Sequence, residues 1–430
     1  MIGSGAREHA MVWALAQNPT VDRLFAAPGN AGIATDAHCI SVAADDVEGI
    51  VELVEHHGID LTIVGPEGPL VAGVADALEA RGQKIFGPSK DAARIEGSKA
   101  WAKELFARHG IPSARSRLVT RPQWEDDKNQ VLAVLDQTFP SGRTVVKADG
   151  LAGGKGVAVA HDRSAAVSAL ETCFELRAFG EAGDVVLLEE VLEGSEVSAF
   201  ALCDGRDVMP LALAQDFKRL GEGDVGPNTG GMGAYSPLTW VDPGTEQMIW
   251  DDLVRGTVKA MESEGVRYRG LLYAGVMLTE SGPKILEFNC RFGDPETEAI
   301  LPRLRSDFGE LVLACVEGNL ALYKAHWSEE ACVTVVLASE GYPGEHRVGV
   351  PIEGIEDADG MEGVAVFHAG TKERDATVVT AGGRVLAVSA LGRGVADARA
   401  RAYAAADLIS FDGRRYRTDI AARAAEEERT

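Results

Sequence analysis

The sequence predicts a multidomain protein, α/β at first and ending in a smaller α+β unit. Three observations carry this. Apolar strand-like runs alternate with amphipathic helical stretches up to about residue 96, the pattern of parallel βα units. Two long glycine-rich stretches, 148–156 and 226–237, sit between strand-like runs in the middle of the chain. From Cys332 the texture changes to short β segments, at 332–338, 365–368, 378–380 and 384–390, followed by one helix from Val395 to about Ile409. A length of 430 residues suits roughly two to four domains.

Composition narrows the function. Hydrophobic residues make up 46% and charged residues 25%, as in a soluble globular protein. A net charge of -24 argues against nucleic-acid binding, because DNA and RNA demand a basic surface. It leaves room for a small anionic substrate in a locally cationic pocket. No apolar run has the length of a membrane span, and the start has no basic region and apolar core of a signal peptide. Six scattered cysteines without a Cys-x-x-Cys pair fit reduced thiols in a cytoplasmic protein.

Taken in order, residues 1–10 read as the end of a strand, a glycine turn and a helix running to about Gln17. The strand is cut to Met1 and Ile2. Glycines admit close approach of a ligand, and a helix N-terminus favours an anion. Position 8 is Glu, so the dinucleotide fingerprint fails and a phosphate or ribose phosphate is favoured over NAD. A helix over 47–57, a strand over 61–64, a helix over 71–81 and a short strand at 85–86 follow, with Glu67 beyond a strand end where α/β sheets gather ligands. Ser98 caps a helix reaching about His109. Lys99, in its first turn, opposes the macrodipole, so either a phosphate or plain solvent faces it.

The run 144–159 reads as a hairpin with a glycine-rich tip. It is no Walker A loop, yet its N–H groups and Lys147 suit phosphates in a similar way. Residues 185–198 give a strand, a bend and a strand. The apolar bend could grip an adenine, and Glu196 could meet ribose hydroxyls. After Gln215–Arg219, the segment 226–237, with glycines at 226, 230, 231 and 233, reads as one long loop that a ligand orders. A helix over 245–264 and a strand over 271–278 follow. The latter pairs antiparallel with the strand 285–288. On that strand Glu287 and Asn289 share a face, and a carboxylate beside an amide oxygen suits Mg²⁺. Arg291 continues the alternation, while Cys290 points away into packing. Glu296 and Glu298 crowd the same end, and the tail 424–430 reads as charged and frayed.

Together, Gly87-Pro88-Ser89 with Glu96-Gly97-Ser98-Lys99, the run Lys147–Gly156, the run Gly226–Pro237 and Glu287–Thr297 resemble the phosphoribosylamine–glycine ligase family of the ATP-grasp superfamily. The likeness covers residues 2 to about 420. It implies a Rossmann-like N-terminal domain (1–96), an ATP-grasp region (97–326) with a mobile lid at about 118–190, and a small α+β C-terminal domain (327–430). It also implies ATP with Mg²⁺ or Mn²⁺, with glycine and 5-phosphoribosylamine as substrates, joined through a glycyl phosphate by a monomer. Glu287 and Asn289 match the family's metal ligands. Lys99, Lys147, Gly153, Gly154, Lys155 and Gly156 match its phosphate contacts, Glu189, Glu190 and Val191 its adenine hinge, and Glu196 its ribose contact. The expected substrate residues are Gly3, Gly5, Glu67, Asp216, Lys218, Arg291, Asp294, Pro295 and Thr297, with Arg291, Lys147 and Asp294 catalytic. Ala6 and Gly153 exchange two small residues relative to the family pattern, and Phe217 stands where His is frequent. Another ATP-grasp reaction, a nucleotide-binding regulator and a nicotinamide oxidoreductase are the competing expectations.

Overall fold

The computed structural model describes residues 1–152 and 156–428. Strands β1 (Ile2–Gly3), β2 (Phe25–Pro28) and β3 (His38–Cys39) pair in parallel, as do β4 (Thr62–Ile63) and β5 (Ile85–Phe86). A parallel bridge between Ile2 and Val64 joins the two groups. Short as it is, β1 is buried, and the helix Ala6–Ala16 packs through Ala6, Ala10, Met11 and Leu15 into a core with Ile63, Phe86 and Phe292. The helix expected over 71–81 is instead two, Glu67–Ala72 and Val74–Glu79. Gly73, at φ +102°, breaks it by taking a conformation that L residues avoid. Glu67 is thereby the first residue of a helix and not part of a loop.

A four-stranded sheet follows: β6 (Ser116–Thr120), β7 (Thr144–Ala148), β8 (Val157–Ala160) and β9 (Val185–Glu189), in the order β6-β9-β7-β8. Its own small core includes Trp124, Leu135, Leu170 and Phe174.

The largest sheet starts with β10 (Ser195–Asp204) and β11 (Val208–Asp216). The segment expected to be one long loop is mostly strand: β12 (Arg219–Gly221) and β13 (Val225–Asn228) form a hairpin, and β14 (Gly233–Ser236) pairs with β11 and the next-but-two strand. Helical turns over 243–263, π-wound between Ile249 and Arg255, lead to β15 (Arg269–Thr279) and β16 (Gly282–Asn289). Then come β17 (Ala331–Ser339), β18 (Val364–His368), the hairpin β19 (Thr371–Arg374) and β20 (Thr377–Thr380), β21 (Arg384–Gly392), and β22 (Arg414–Arg415). The order is β16-β15-β10-β11-β14-β17-β21-β18, with β22 on β17. One sheet therefore runs from the central part of the chain into its C-terminal part. The helix Val395–Leu408 covers it with small residues, Ala398, Ala402, Ala405 and Ala406.

The expected frayed tail is ordered through residue 428. It forms the helix Ala422–Glu427, with Ala425 buried. The Glu428 carboxylate accepts from Val395 N and Ala396 N at 3.1 and 2.9 Å, satisfying helix-end donors that no side chain of their own caps.

Candidate active site

A cavity of about 1320 Å³ opens where the two large sheets and the N-terminal part meet. Lys99, Lys147, Gly156, Glu189, Glu190, Val191, Glu196, Asp216, Lys218, Glu67, Glu287, Asn289, Arg291 and Asp294 all line it.

The Glu287–Asn289 pair is set by β16, whose pleat turns both toward the cavity while Phe288 and Cys290 pack into the core. Lys218 lies 3.5 Å from Glu287. Burial works against the ionised form of Glu287, but Lys218, Lys147, Lys99 and Arg291 outweigh it and hold the carboxyl below its ordinary range. The amide of Asn289 takes no hydrogen bond among the described residues. Hard, charged and neutral oxygens side by side suit Mg²⁺ or Mn²⁺. Among the described residues no group of three or more His, Cys, Asp or Glu gathers into an all-protein cage. A cation held here would take its other ligands from phosphate and water.

The lysines are held from behind. Lys147, on β7, sits 2.9 Å from Glu189 and donates to Leu286 O at 3.2 Å. Lys103, which the sequence reading did not single out, reaches the same carboxylate at 3.3 Å. Lys99 donates to Asp149 O and Gly150 O, both at 3.2 Å, so its place in a helix's first turn is explained by carbonyls at the root of the glycine-rich tip. Burial lowers the affinity of Lys99 and Lys103 for their protons. Gly153, Gly154 and Lys155 lie outside the described residues. Between β9 and β10, Glu190, Val191, Leu192 and Gly194 line the cavity where the chain passes from one sheet to the other. The strand, bend and strand expected at 185–198 thus carry the chain from one sheet to the other. Glu196, expected to face ribose, is paired with Lys218, and Glu196 and neighbouring acids keep that lysine charged despite burial. Asp216 is pushed well above the usual carboxyl range by burial, against the pull of Lys218.

On the opposite wall, Arg291 spans Glu67 at 3.1 Å and Glu96 at 3.6 Å, while Cys290 N donates to Glu96 at 2.7 Å. Burial raises Glu96. Arg291 and Arg7 pull Glu67 down despite its burial. Arg7, which the sequence reading missed, donates to Phe292 O at 3.0 Å and to Glu8 at 2.7 Å. Glu8 in turn lies across the N-terminal glycine turn. Its carboxylate accepts from Gly5 N at 2.5 Å, and a Cβ on Gly3 would stand 2.5 Å from its Cγ. The donor at Gly5 that the sequence offered to a phosphate is therefore taken by the helix's own capping box. Thr297, expected at the substrate, is fully buried and donates to Gly293 O, and Pro295 is covered by Gly231. Glu298 is buried with neither oxygen hydrogen-bonded among the described residues and its carboxyl pushed far up by burial, while Glu296 accepts from Ser198 at 3.0 Å.

The sequence pattern of the phosphoribosylglycinamide synthetase N domain matches residues 1–96, that of its ATP-grasp (A) domain 97–297, and that of its C domain 332–423. The chain belongs to the phosphoribosylglycinamide synthetase family. Phosphoribosylamine–glycine ligases of Pasteurella multocida (48% identity, 100% of this chain and 98% of that one) and Caldanaerobacter subterraneus (46%, 98% and 99%) are similar along their length. The crystal structure of the Thermotoga maritima ligase superposes with a TM-score of 0.84 at 34% identity, covering 97% of this chain and 98% of that one. A biotin carboxylase domain from Hydrogenobacter thermophilus, solved with MgADP, shares the fold at a TM-score of 0.72 and 19% identity. The architecture is that of the synthetase family: three domains of mixed α/β content with an ATP-grasp fold. Among the described residues no helix is long and apolar enough to cross a membrane.

Proposed function

We propose that this cavity carries out the ligation for which the family is named. ATP, glycine and 5-phosphoribosylamine give glycinamide ribonucleotide, ADP and phosphate, a step of purine biosynthesis, with Mg²⁺ or Mn²⁺ as cofactor. The observation that carries this to particular residues is the convergence of Lys99, Lys147, Lys218 and Arg291 on the Glu287 carboxylate inside one cavity.

Glycine's carboxylate attacks the γ-phosphorus of ATP, forming glycyl phosphate and releasing ADP. The amine of phosphoribosylamine then attacks the acyl carbon, and phosphate leaves with the electron pair of the broken C–O bond. Lys99 and Lys147 set fixed positive charge against the phosphate oxygens. Arg291, held rigid between Glu67 and Glu96, faces the oxyanion that grows on the acyl carbon. Glu287 and Asn289 would hold the Mg²⁺ or Mn²⁺, which when bound neutralises charge on the phosphates. Val191 and its neighbours between the two sheets take the adenine.

Residues 1–96 form a Rossmann-like domain, supported by the parallel strands β1–β5. Residues 97–326 form the ATP-grasp region, and 327–430 the C-terminal domain. Within the second, residues of about 118–190, built on the sheet β6–β9, act as a lid that keeps water from the acyl phosphate. The chain is taken to act as a monomer.

The test is phosphate release from ATP. It is expected only when glycine and phosphoribosylamine are both present; equal release without either would overturn the assignment.

A further inference from the structure

We propose that Arg384, from the C-terminal end of the large sheet, is a positioning residue for the amine substrate. This rests on the ligase assignment above and deepens it. Arg384 opens β21, about ninety residues beyond the Asp294 it serves. Its Nη1 donates to Asp294 O at 2.9 Å and lies 3.0 Å from Asp294 Oδ1. The same nitrogen donates to Gly230 O, and Gly230 N donates to the hydroxyl of Tyr342 at 2.9 Å. Both backbone polar groups of Gly230 are thus held from the C-terminal part.

Within the strap 229–233, Gly230 and Gly231 lie close against this grip. A Cβ on Gly230 would stand 2.8 Å from Arg384 Cζ, and one on Gly231, at φ +108°, 2.3 Å from Pro295 Cδ. At its root, Thr229 N and Oγ1 donate to Lys218 O at 2.7 and 2.9 Å, so the strap also fixes the lysine beside Glu287. The second oxygen of Asp294, Oδ2, faces the N-terminal turn, 3.5 Å from where a Cβ on Gly5 would stand. Arg384 therefore orients one cavity-lining carboxylate between itself and the N-terminal turn, where it can accept from the substrate's amine, and ties that carboxylate to the strap. A guanidinium makes several directed bonds at once; an ammonium keeps the charge and loses the fork.

The test measures KM for each substrate in R384Q and R384K beside the parent. R384Q is expected to raise KM for phosphoribosylamine about tenfold while KM for ATP stays within about twofold, and R384K is expected to recover part of the loss. Combined with D294N, R384Q should add little further. An unchanged KM for the amine, or an equal rise in all three KM values, would overturn the positioning role. Should R384Q fail to fold, R384K decides alone on the same criterion. A parent enzyme that releases no phosphate with the amine would instead remove the ligase assignment, a separate outcome.

Discussion

On one side of the cavity two lysines share one buried acid: Lys103 and Lys147 reach Glu189 at 3.3 and 2.9 Å. On the other, two acids share one arginine: Glu67 and Glu96 flank Arg291 at 3.1 and 3.6 Å. The first cluster carries surplus positive charge, whereas the second offsets its arginine with acids. A polyanion such as a triphosphate is drawn to the first, while the second holds one guanidinium rigid between two carboxylates. The clusters also differ in origin. The lysine side is assembled within residues 99–191, whereas the arginine side joins residues 7, 67 and 96 to 291 and, through Asp294, to 384.

The sharpest way to break this comparison lies between the two sides. Glu287→Ala is expected to lower kcat by about a thousandfold with the thermal midpoint kept, since Glu287 opens to the cavity and supports no core. Phosphate-release kinetics beside a melting curve check it; retained turnover would remove Glu287 from the chemistry. Next, Lys147→Met should cost about a hundredfold in kcat, while Lys103→Met should act mainly on stability, by about 2 kcal/mol in denaturant unfolding, because Glu189 keeps one of two partners. Equal kinetic effects would mean that the two lysines are not divided in this way. On the acid side, Glu67→Gln should raise KM for phosphoribosylamine about tenfold and leave KM for ATP unchanged.

Acid probes the seam behind the second side. His9 and His368 are buried against each other, 5.5 Å between ring centres, and His368 N donates to His9 Nδ1. Burial lowers His9 to about 3, with His368 adding to it, and lowers His368 to about 4. Both are neutral in the folded protein. Below about pH 6.5 the unfolded chain binds protons that the folded chain refuses, so stability falls as pH drops from 6.5 towards 4, by up to about 1.4 kcal/mol per pH unit for each histidine, and does not depend on them above pH 7. Denaturant unfolding across that range checks the slope, and His368→Asn should remove part of it. The smallest effect is expected far from both sides: Glu428→Gln should cost about 1 kcal/mol by weakening a helix cap and leave every KM in place.

Legibility in the sequence follows the same division. The metal-facing pair, Lys147 and the hairpin around the glycine-rich tip are local patterns, because strand alternation fixes which neighbours share a face. Arg7, Lys103 and Arg384 carry no local signal, since their partners lie far along the chain or across two sheets. The glycines of 226–237 suggested one loop, but β13 and β14 take up much of it, and Gly230 and Gly231 between them serve close packing against Arg384 and Pro295. Gly5 was offered to a phosphate because a helix start favours anions, yet Glu8, three residues on, is the nearer anion. The tail looked polar enough to fray, and only the folded partner shows that Glu428 caps another helix.

The continuity of the large sheet bears on how the chain can be dissected. If the chain stopped at residue 326, β14 would lose β17 along its whole length. Its N–H and C=O groups would then stand open on one side, inviting other chains to add to the edge. The catalytic half is therefore not a portable piece: a truncated version is expected to self-associate before it can be assayed, and size-exclusion chromatography would show it.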